Sequence, residues 1–472
     1  MPRKAIELFM TSVSSPTFAS LGVSERLVRA LTSAGIKEPF PIQADTLPDT
    51  LAGRDVLGRG KTGSGKTLAF AIPMISRLGD SAKGVRPAGR PRGLILAPTR
   101  ELATQIAAAL EPLAMAANLR VTTIFGGVSQ ARQTTALSRG VDIVVACPGR
   151  LEDLMQQRFV NLDDVEITVL DEADHMADLG FLPGVTRIMT ATPSHGQRLL
   201  FSATLDNGVD KLVKRFLSNP VQHSVDDENS PVAAMTHHIF EVGGVDSKKA
   251  LVQRLASGNG RRILFMRTKH QAKKLARQLT EAGIPSVDLH GNLSQAARDR
   301  NLLAFSSGDA RVLVATDVAA RGVHVDNVEL VVHVDPPAEH KAYLHRSGRT
   351  ARAGSAGDVV TVVLPEQRRD LNLLMRKAKI DVAPTRVTAE SDQVTDLVGE
   401  AAAYVKPAPK APAQPQKQGG GRGHAGAGRS GGARAAGGGT AGGGGRRRRP
   451  AGGGRSGGSQ PYGRSESAGY RG

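Results

Sequence analysis

The strongest constraint on the fold is a glycine-rich loop at residues 60–67, placed between a strand-like and a helix-like apolar run. Its glycines let backbone amides turn toward a polyphosphate, Lys66 adds charge at the β- and γ-phosphates, and Thr67 offers a metal-binding hydroxyl. Downstream, Asp171 and Glu172 directly follow another apolar run. An acid at the carboxyl end of a buried parallel strand points into the crevice where α/β sheets bind ligands. We therefore predict nucleoside-triphosphate hydrolysis, with Mg²⁺ on Asp171, directly or through water, and Glu172 orienting or deprotonating the attacking water.

Short β-branched runs alternate with amphipathic helical segments over most of the chain. This alternation is typical of parallel sheets covered by helices, so we expect an α/β fold. Strand candidates lie at 54–58, 93–97, 121–125, 142–146, 167–170 and 198–202, and again at 262–266, 286–289, 311–315, 328–334 and 358–364. The predicted organisation is an N-terminal extension at 1–17, α/β domains at 18–220 and 236–385, a linker at 221–235, a short helix within 386–405 that Ser391 starts, and a tail at 406–472.

The net charge of +18 is concentrated in the predicted tail. Residues 406–472 hold three Lys and ten Arg against a single acid, Glu466, which gives this segment a charge of +12. The segment also holds 23 of the 54 glycines and almost no large apolar side chains that would offset the entropy of ordering. We expect a disordered tail with a polyanionic partner, since Lys and Arg displace condensed counterions from phosphates. A tail that only aids solubility is the alternative.

Composition also excludes some classes of protein. No stretch of about 20 uncharged apolar residues occurs, and the start of the chain lacks the hydrophobic region of a secretory signal. We therefore expect a cytoplasmic location without membrane association. Cys147 is the only cysteine, which excludes an internal disulfide and a thiolate-based zinc site.

Two further patterns concern how a nucleotide would be held. The amide of Gln43 can donate and accept hydrogen bonds at once, as the N6 and N7 edge of adenine demands, although a glutamine here also suits a helix cap. His345, Arg349 and Arg352 are spaced i, i+4 and i+7, which places them on one face if the segment is helical. Such a face either presents two guanidinium groups to a γ-phosphate or is a solvated basic patch.

These segments resemble the motifs of the DEAD-box RNA helicases, and the resemblance covers approximately residues 18–380. The matching motifs are the Q motif at 35–43 with its upstream aromatic at Phe18, motif I at 60–67, Ia at 98–103, the glycine doublet at 126–127, Ib at 147–150, II at 171–174, III at 202–204, IV at 264–268, IVa at 295–298, V at 315–322 and VI at 345–354. The resemblance implies two tandem RecA-like parallel-sheet domains. It also implies an enzyme that uses ATP and Mg²⁺, binds single-stranded RNA and locally unwinds short duplexes.

The resemblance assigns a role to each matching residue. Catalysis falls on Lys66, Asp171, Glu172, Arg349 and Arg352, the last two as arginine fingers once the domains close. ATP binding falls on Phe18, Gln43, Gly63, Ser64, Gly65, Lys66, Thr67, Asp171 and Gly322, with Mg²⁺ at Thr67 and Asp171. RNA binding falls on Pro98, Thr99, Arg100, Gly126, Gly127, Pro148, Gly149, Arg150, Thr268, Gln295, Arg298 and Thr316. Coupling between hydrolysis and strand separation falls on Asp174, Ser202, Thr204 and His345.

Four residues depart from the family pattern. Ile36 replaces an aromatic residue of the Q motif, Cys147 a threonine of motif Ib, and Ala351 a glycine of motif VI. The changes at Cys147 and Ala351 remove no charged catalytic group. His324 replaces an aspartate of motif V that in the family contacts the ribose and helps to couple the domains, so the sequence leaves ATP affinity and coupling open.

The resemblance also bears on partners and on rival functions. RNA contacts through phosphate and ribose would give affinity without reading sequence, and the 2′-hydroxyl would favour RNA over DNA. Ribosome assembly or RNA turnover is the implied setting. A non-catalytic RNA-annealing protein and a DNA helicase are the alternatives. The charged residues of motifs I, II and VI argue against the first, and Gln43 with the DEAD tetrad argues against the second.

We predict that deletion of residues 406–472 weakens RNA binding and flattens its salt dependence, because the deleted arginines no longer neutralise phosphates. ATP hydrolysis at saturating RNA should be spared, because no residue of motifs I to VI is lost. Equilibrium RNA binding over a salt series, with ATPase assays beside it, measures both effects. A salt slope equal to that of the full chain would contradict the prediction.

Overall fold

The structure is a computed structural model that describes residues 16–60, 63–80, 86–205, 207–224, 235–320, 322–323, 325, 327–351 and 356–407. All of these residues belong to one compact unit of the chain. The predicted tail from residue 408 onward, most of the N-terminal extension, and the positions of His324 and Arg352 lie outside the described residues.

The first region folds into a parallel sheet that has seven strands within the described residues. Its strands are β1 Val56–Arg59, β2 Gly93–Leu96, β3 Val121–Ile124, β4 Ile143–Ala146, β5 Ile167–Leu170, β6 Gln197–Ser202 and β7 Val221–Ser224, in the order β3-β4-β2-β5-β6-β1-β7. Its helices are α1 Glu25–Ser33, α2 Pro41–Leu51, α3 Lys66–Asp80, α4 Arg100–Ala116, α5 Gln130–Ser138, α6 Pro148–Gln156, α7 Ala173–Asp178, α8 Leu182–Thr190 and α9 Asn207–Phe216.

The second region repeats this architecture, again with seven parallel strands among the described residues. They are β8 Met235–Glu241, β9 Arg261–Phe265, β10 Ser286–Leu289, β11 Val312–Ala315, β12 Val328–His333, β13 Gly357–Val363 and β14 Pro384–Arg386, in the order β10-β11-β9-β12-β13-β8-β14. The helices are α10 Val245–Ala256, α11 Lys269–Glu281, α12 Gln295–Ser307, α13 Asp317–Ala320, α14 His340–Ser347, α15 Arg368–Lys377 and α16 Asp392–Val398, with a 3₁₀ turn at Pro365–Gln367.

Each sheet is covered on both faces, which explains why most residues of its central strands are apolar and buried. Strands β2, β4, β5 and β11 are buried at every residue. In the first domain, Phe70 of α3 packs on Phe201 of β6 with ring centroids 5.5 Å apart. Gly58 in the neighbouring strand leaves room for that ring, because a side chain at this position would overlap Phe201. The α/β class and the two tandem parallel-sheet domains predicted from the sequence are confirmed.

Three strands lacked a recognisable pattern. Strand β7 lies inside the predicted linker, where its Val-Gln-His-Ser sequence is half exposed, yet it pairs with β1, and His223 lies 2.8 Å from Asp49. Strand β8 contains two histidines, which interrupt the apolar pattern of a strand that pairs with β13 on one side and β14 on the other. Strand β14 spans only three residues at the sheet edge. Ser391 precedes α16, as the sequence predicts.

No described helix combines the length and the apolar character that crossing a bilayer requires.

Ala351 shows why motif VI favours glycine at this position. Its backbone has φ of 53°, in the left-handed region that costs an L-residue about 1–2 kcal/mol. The Ala351 departure from the family pattern therefore carries a conformational cost rather than a chemical one.

We predict that Ala351→Gly stabilises the protein by about 0.5–1 kcal/mol, because relief of the left-handed strain exceeds the added entropy of the unfolded chain. The matched control is Ala108→Gly on the exposed face of α4, which should destabilise by about 1 kcal/mol. Denaturant midpoints of the full chain measure both. Shifts of the same sign in the two variants would contradict the prediction.

Candidate active site

The order of the strands sorts the predicted residues into two groups. In the first sheet, the neighbouring strands β5, β6 and β1 lead into motifs II, III and I, whereas β3, β4 and β2 lead into the glycine doublet, motif Ib and motif Ia. In the second sheet, β10, β11 and β9 lead into motifs IVa, V and IV. Because the carboxyl ends of parallel strands meet at one edge, the residues predicted for ATP occupy one half of that edge and those predicted for RNA the other.

The phosphate-binding loop joins β1 to α3. Gly63 and Gly65 have φ of 93° and 91°, which L-residues rarely adopt, so glycine is required at both positions. Lys66 is 7% exposed, and its Nζ donates to the carbonyl of Gly60 at 2.5 Å. The amide of Gly60 in turn donates to the carbonyl of Ser202 at 3.2 Å, which attaches the loop to motif III. Thr67 follows in the first turn of α3.

Gln43 is fully buried and uses both ends of its amide within the protein. Its Oε1 accepts from the amide of Phe40 at 3.0 Å and so caps α2, and its Nε2 donates to the carbonyl of Gly65 at 2.8 Å. The capping role considered from the sequence is therefore present, together with a contact to the phosphate-binding loop that the sequence did not indicate. Phe18, predicted to bind the nucleotide, is 2% exposed and packs in the first core.

Three carboxylates of motif II are buried side by side. Burial raises the pKa of Asp171 to about 7, with Glu172 and Asp174 adding to the rise and Lys66 opposing it. Burial alone would also raise the pKa of Glu172, but its hydrogen bond from His175 and the charges of Arg349 and Lys66 hold that pKa well below its ordinary value. Glu172 is therefore ionised over the physiological range.

Asp174 connects motif II to motif III. Its Oδ2 accepts from both the amide and the hydroxyl of Thr204 at 3.0 Å, and its own amide donates to Ser202 Oγ at 3.2 Å. Ser202 Oγ then donates to the carbonyl of Thr204 at 2.7 Å. A displacement of either motif therefore breaks hydrogen bonds in the other, as a coupling role for these residues requires.

Arg349 reaches the same carboxylates from the second domain. Its Nη1 donates to the carbonyl of Val323 at 2.7 Å and its Nε to that of His345 at 3.2 Å. A small cavity of about 20 Å³ separates the domains here, lined by Lys66, Glu172, Asp174, His175, Ala203, His345 and Arg349. The condition for a single helical face in motif VI is not met, because α14 ends at Ser347 with Gly348 as its C-cap, so Arg349 lies beyond the helix.

His175 is a site residue that sequence reasoning missed. It is not among the residues predicted for the site, yet it is 3% exposed, and its Nδ1 lies 3.2 Å from Glu172 Oε2. Its Nε2 is buried and has no hydrogen-bond partner among the described residues. Its position directly after motif II, in the short helix α7, was the available signal.

Motif Ia connects three of the predicted RNA-binding segments. Thr99 caps α4 by accepting from the amide of Leu102 at 3.2 Å. The Arg100 guanidinium packs on Gly127, where φ of 78° and the lack of space both require glycine, and its Nη1 donates to Gln295 Oε1 at 3.1 Å. Motif Ia, the glycine doublet and motif IVa therefore meet around one arginine.

Arg298 contacts the first domain. Its Nε donates to Glu101 Oε1 at 2.7 Å, and Gln295 Nε2 donates to the same oxygen at 3.2 Å. Glu101 is 8% exposed, and although burial alone would raise its pKa, Arg298 and Gln295 hold that pKa below the ordinary value. Gln295 and Arg298, both predicted to bind RNA, are thus engaged with an acid across the cleft.

The remaining predicted residues lie at strand ends and helix starts. Pro148, Gly149 and Arg150 form the first turn of α6, Thr268 caps α11, and Thr316 precedes α13. Gly322, predicted to bind ATP, instead lies against Thr99 and Leu102 of motif Ia.

Cys147 occupies the N-cap of α6. It makes no side-chain capping hydrogen bond, so the threonine-to-cysteine departure removes a helix cap. Burial raises the pKa of the thiol to about 12, with the charge of Glu101 adding to the rise.

Known proteins match this chain over both domains. The DEAD/DEAH box helicase family matches residues 40–212, and the helicase conserved C-terminal domain matches residues 246–354. Among curated relatives, RNA helicase CrhR of Synechocystis is 37% identical over 82% of this chain and 79% of that protein. Chloroplastic DEAD-box ATP-dependent RNA helicase 3A of Zea mays is 41% identical over 79% of this chain, which spans 50% of the maize protein.

Solved structures agree with the fold. Dbp5 of S. cerevisiae bound to RNA and ADP BeF3 has a TM-score of 0.69 at 28% identity, covering 81% of this chain and 100% of that one. Mss116p bound to ssRNA and AMP-PNP has a TM-score of 0.71 at 27% identity, and the match covers 82% of this chain and 83% of that one. Fold and site together define a helicase core of two RecA-like domains. The chain belongs to the DEAD/DEAH box helicase family, as one of its DEAD-box ATP-dependent RNA helicases, which confirms the family predicted from the motifs.

We predict that Glu101→Gln and Arg298→Gln each weaken RNA affinity by at least roughly tenfold and that the double variant is no weaker than either. Close charge pairs couple by about 1.5–7 kcal/mol, and the residues predicted to bind RNA lie on both domains that this pair joins. Equilibrium RNA binding by the three variants forms a double-mutant cycle, with Arg300→Gln on the same helix as the control.

Neutral pH is the right condition for this cycle. The pKa of Glu101 lies below its ordinary value of 4.5. The ion pair of Glu101 with Arg298 therefore contributes its full free energy above pH 4.5, and this contribution is lost only as the pH falls through the lowered pKa. If Arg298 acted on RNA alone, Glu101→Gln would leave RNA affinity unchanged.

Proposed function

We propose that this protein couples ATP hydrolysis in the cleft between its two domains to the local separation of short RNA duplexes. The observation that carries the proposal is the small cavity between the domains, which Arg349 of the second domain lines together with Lys66 and Glu172 of the first. A hydrolytic site that needs charged groups from both domains makes hydrolysis depend on closure of the cleft.

Each charged residue of the cleft has a definite part in hydrolysis. Lys66 neutralises the β- and γ-phosphates, and Arg349 leaves the Val323 carbonyl to stabilise charge on the transferring phosphoryl group. The low pKa of Glu172 makes it a weak base, so it orients the attacking water by hydrogen bonding rather than by taking its proton early. His175 holds the Glu172 carboxylate in place for that role.

The residues present fit Mg²⁺ at Asp171 and Thr67. Asp171 is a buried carboxylate whose pKa is raised by burial and by the neighbouring acids, and a bound cation relieves both effects. Among the described residues, no group of three or more His, Cys, Asp or Glu is placed to hold a metal ion. Magnesium in such sites takes most of its other ligands from phosphates and water, and when bound it neutralises phosphate oxygens.

RNA would lie along the other half of the cleft, over the ends of β2, β3 and β4 and of β9, β10 and β11. The solved neighbours bound to RNA support this placement, since they share the fold. The core would contact phosphate and ribose without reading sequence, and residues 406–472 would add a sequence-tolerant tether. The setting we propose is ribosome assembly or RNA turnover in the cytoplasm; one relative, of Mycosarcoma maydis, is named an ATP-dependent rRNA helicase.

Steady-state ATP hydrolysis by the full chain, with and without single-stranded RNA, tests the proposal. We expect RNA to stimulate hydrolysis and Glu172→Gln to lower the stimulated rate about 100-fold or more, in the range of a lost catalytic carboxylate. The matched control is Glu111→Gln on the exposed face of α4, which should behave like the wild type. Absence of stimulation in a chain that binds RNA would overturn the proposal in favour of an annealing protein.

Strand displacement from a short RNA duplex with a single-stranded overhang then tests unwinding, and competition by single-stranded DNA tests the preference for RNA. Stimulation of hydrolysis by DNA as strong as by RNA would point to the rival DNA helicase.

A further inference from the structure

Helix α11 carries an exposed basic face that the mechanism does not use. The cations of this face, exposed along a helix of 13 residues, are Lys269, Lys273, Lys274 and Arg277. The opposite face, with Ala272, Ala276 and Leu279, packs into the core of the second domain. The one acid of the helix, Glu281, lies 3.7 Å from Arg277 at the far end. The helix therefore packs through its apolar residues, whereas its basic side chains are exposed to solvent.

The N-terminal end of this basic face adjoins the RNA half of the cleft. Thr268 of motif IV caps the helix, and Lys269 Nζ donates to Asn292 Oδ1 at 3.0 Å. Asn292 lies three residues before Gln295, the first residue of α12 and of motif IVa. The start of α11 therefore borders two of the segments predicted to bind RNA.

The C-terminal end of α11 adjoins the last described segment of the chain. The amide of Val405 donates to the carbonyl of Gly283 at 3.0 Å, and that of Ala402 to the carbonyl of Ser257 at 2.8 Å. The Tyr404 ring lies over Gly283, where a side chain would overlap it, and Tyr404 remains 67% exposed. The chain continues from this point into the segment that holds most of the positive charge of the sequence.

We propose that the basic face of α11 binds the phosphates of an RNA strand leaving the cleft and leads it to Tyr404 and the start of the basic tail. The helix is about 20 Å long, enough for several consecutive phosphates. Lysines suit this task because they act as mobile point charges that tolerate any sequence, and an exposed tyrosine offers a base a surface for stacking. The inference rests on the proposed RNA-dependent function.

The test neutralises Lys273 and Lys274 in the full chain. The variant is Lys273→Gln/Lys274→Gln, which keeps helix propensity because lysine and glutamine are about equally good helix formers, and both side chains are exposed. Its matched control is Lys211→Gln/Lys214→Gln, which removes two exposed lysines from α9 of the first domain. Binding is measured over a salt series with two single strands, one just long enough to fill the cleft and one longer.

For the longer strand, we expect the slope of log affinity against log salt concentration to fall by about 1.4 in the α11 variant, at about 0.7 for each of two lost phosphate contacts. If the affinities of variant and wild type converge near 1 M salt, the variant then binds roughly 25-fold more weakly than the wild type at 0.1 M salt. The short strand and the control variant should bind as in the wild type. The ATPase rate at saturating RNA should not change.

The inference would be overturned if the α11 variant lost equal affinity for the short and the long strand, or if the control variant lost as much affinity as the α11 variant. An unchanged salt slope for the longer strand would overturn it as well. These outcomes are distinct from failure of the proposed function, which would appear as a wild-type chain whose ATP hydrolysis does not respond to RNA.

Discussion

The architecture depends on compensation of buried negative charge. Motif II buries Asp171, Glu172 and Asp174 within four residues at the end of one strand, and such a cluster is costly in a low-dielectric cleft unless cations face it. Lys66 comes from the same domain, but Arg349 comes from the other. Electrostatics at the hydrolytic site therefore favours the arrangement in which the two domains are together.

A second pair of opposite charges acts at the other half of the cleft. Glu101 faces Arg298 there, and Arg100 reaches Gln295 close by. The two contact points follow the neighbouring strands β5 and β2, so the second domain is held at two places along one edge of the first sheet. ATP and RNA would each find half of a binding site on each domain, and a ligand that stabilises one contact helps to form the other.

The sequence predicted well wherever function required an unusual residue pattern. The loop at 60–67 and the acids after β5 were recognisable because such glycine spacing and a strand-terminal acid occur together in few structural contexts outside nucleotide sites. Prediction failed where the structure depended on partners distant in sequence. Strand β8 lies inside the sheet only because β13 and β14 flank it, and the engagement of Arg298 by Glu101 brings together residues 197 positions apart. Neither is visible in a local pattern.

Cys147 has a practical consequence that follows from its position. Its half-buried side chain packs against the first core, the raised pKa of its thiol disfavours the reactive thiolate, and it is the only cysteine of the chain. Cysteines introduced at exposed sites on the two domains should therefore accept maleimide dyes selectively while Cys147 stays in place. The natural protein is in this sense already prepared for single-molecule observation of its cleft, without prior removal of a native thiol.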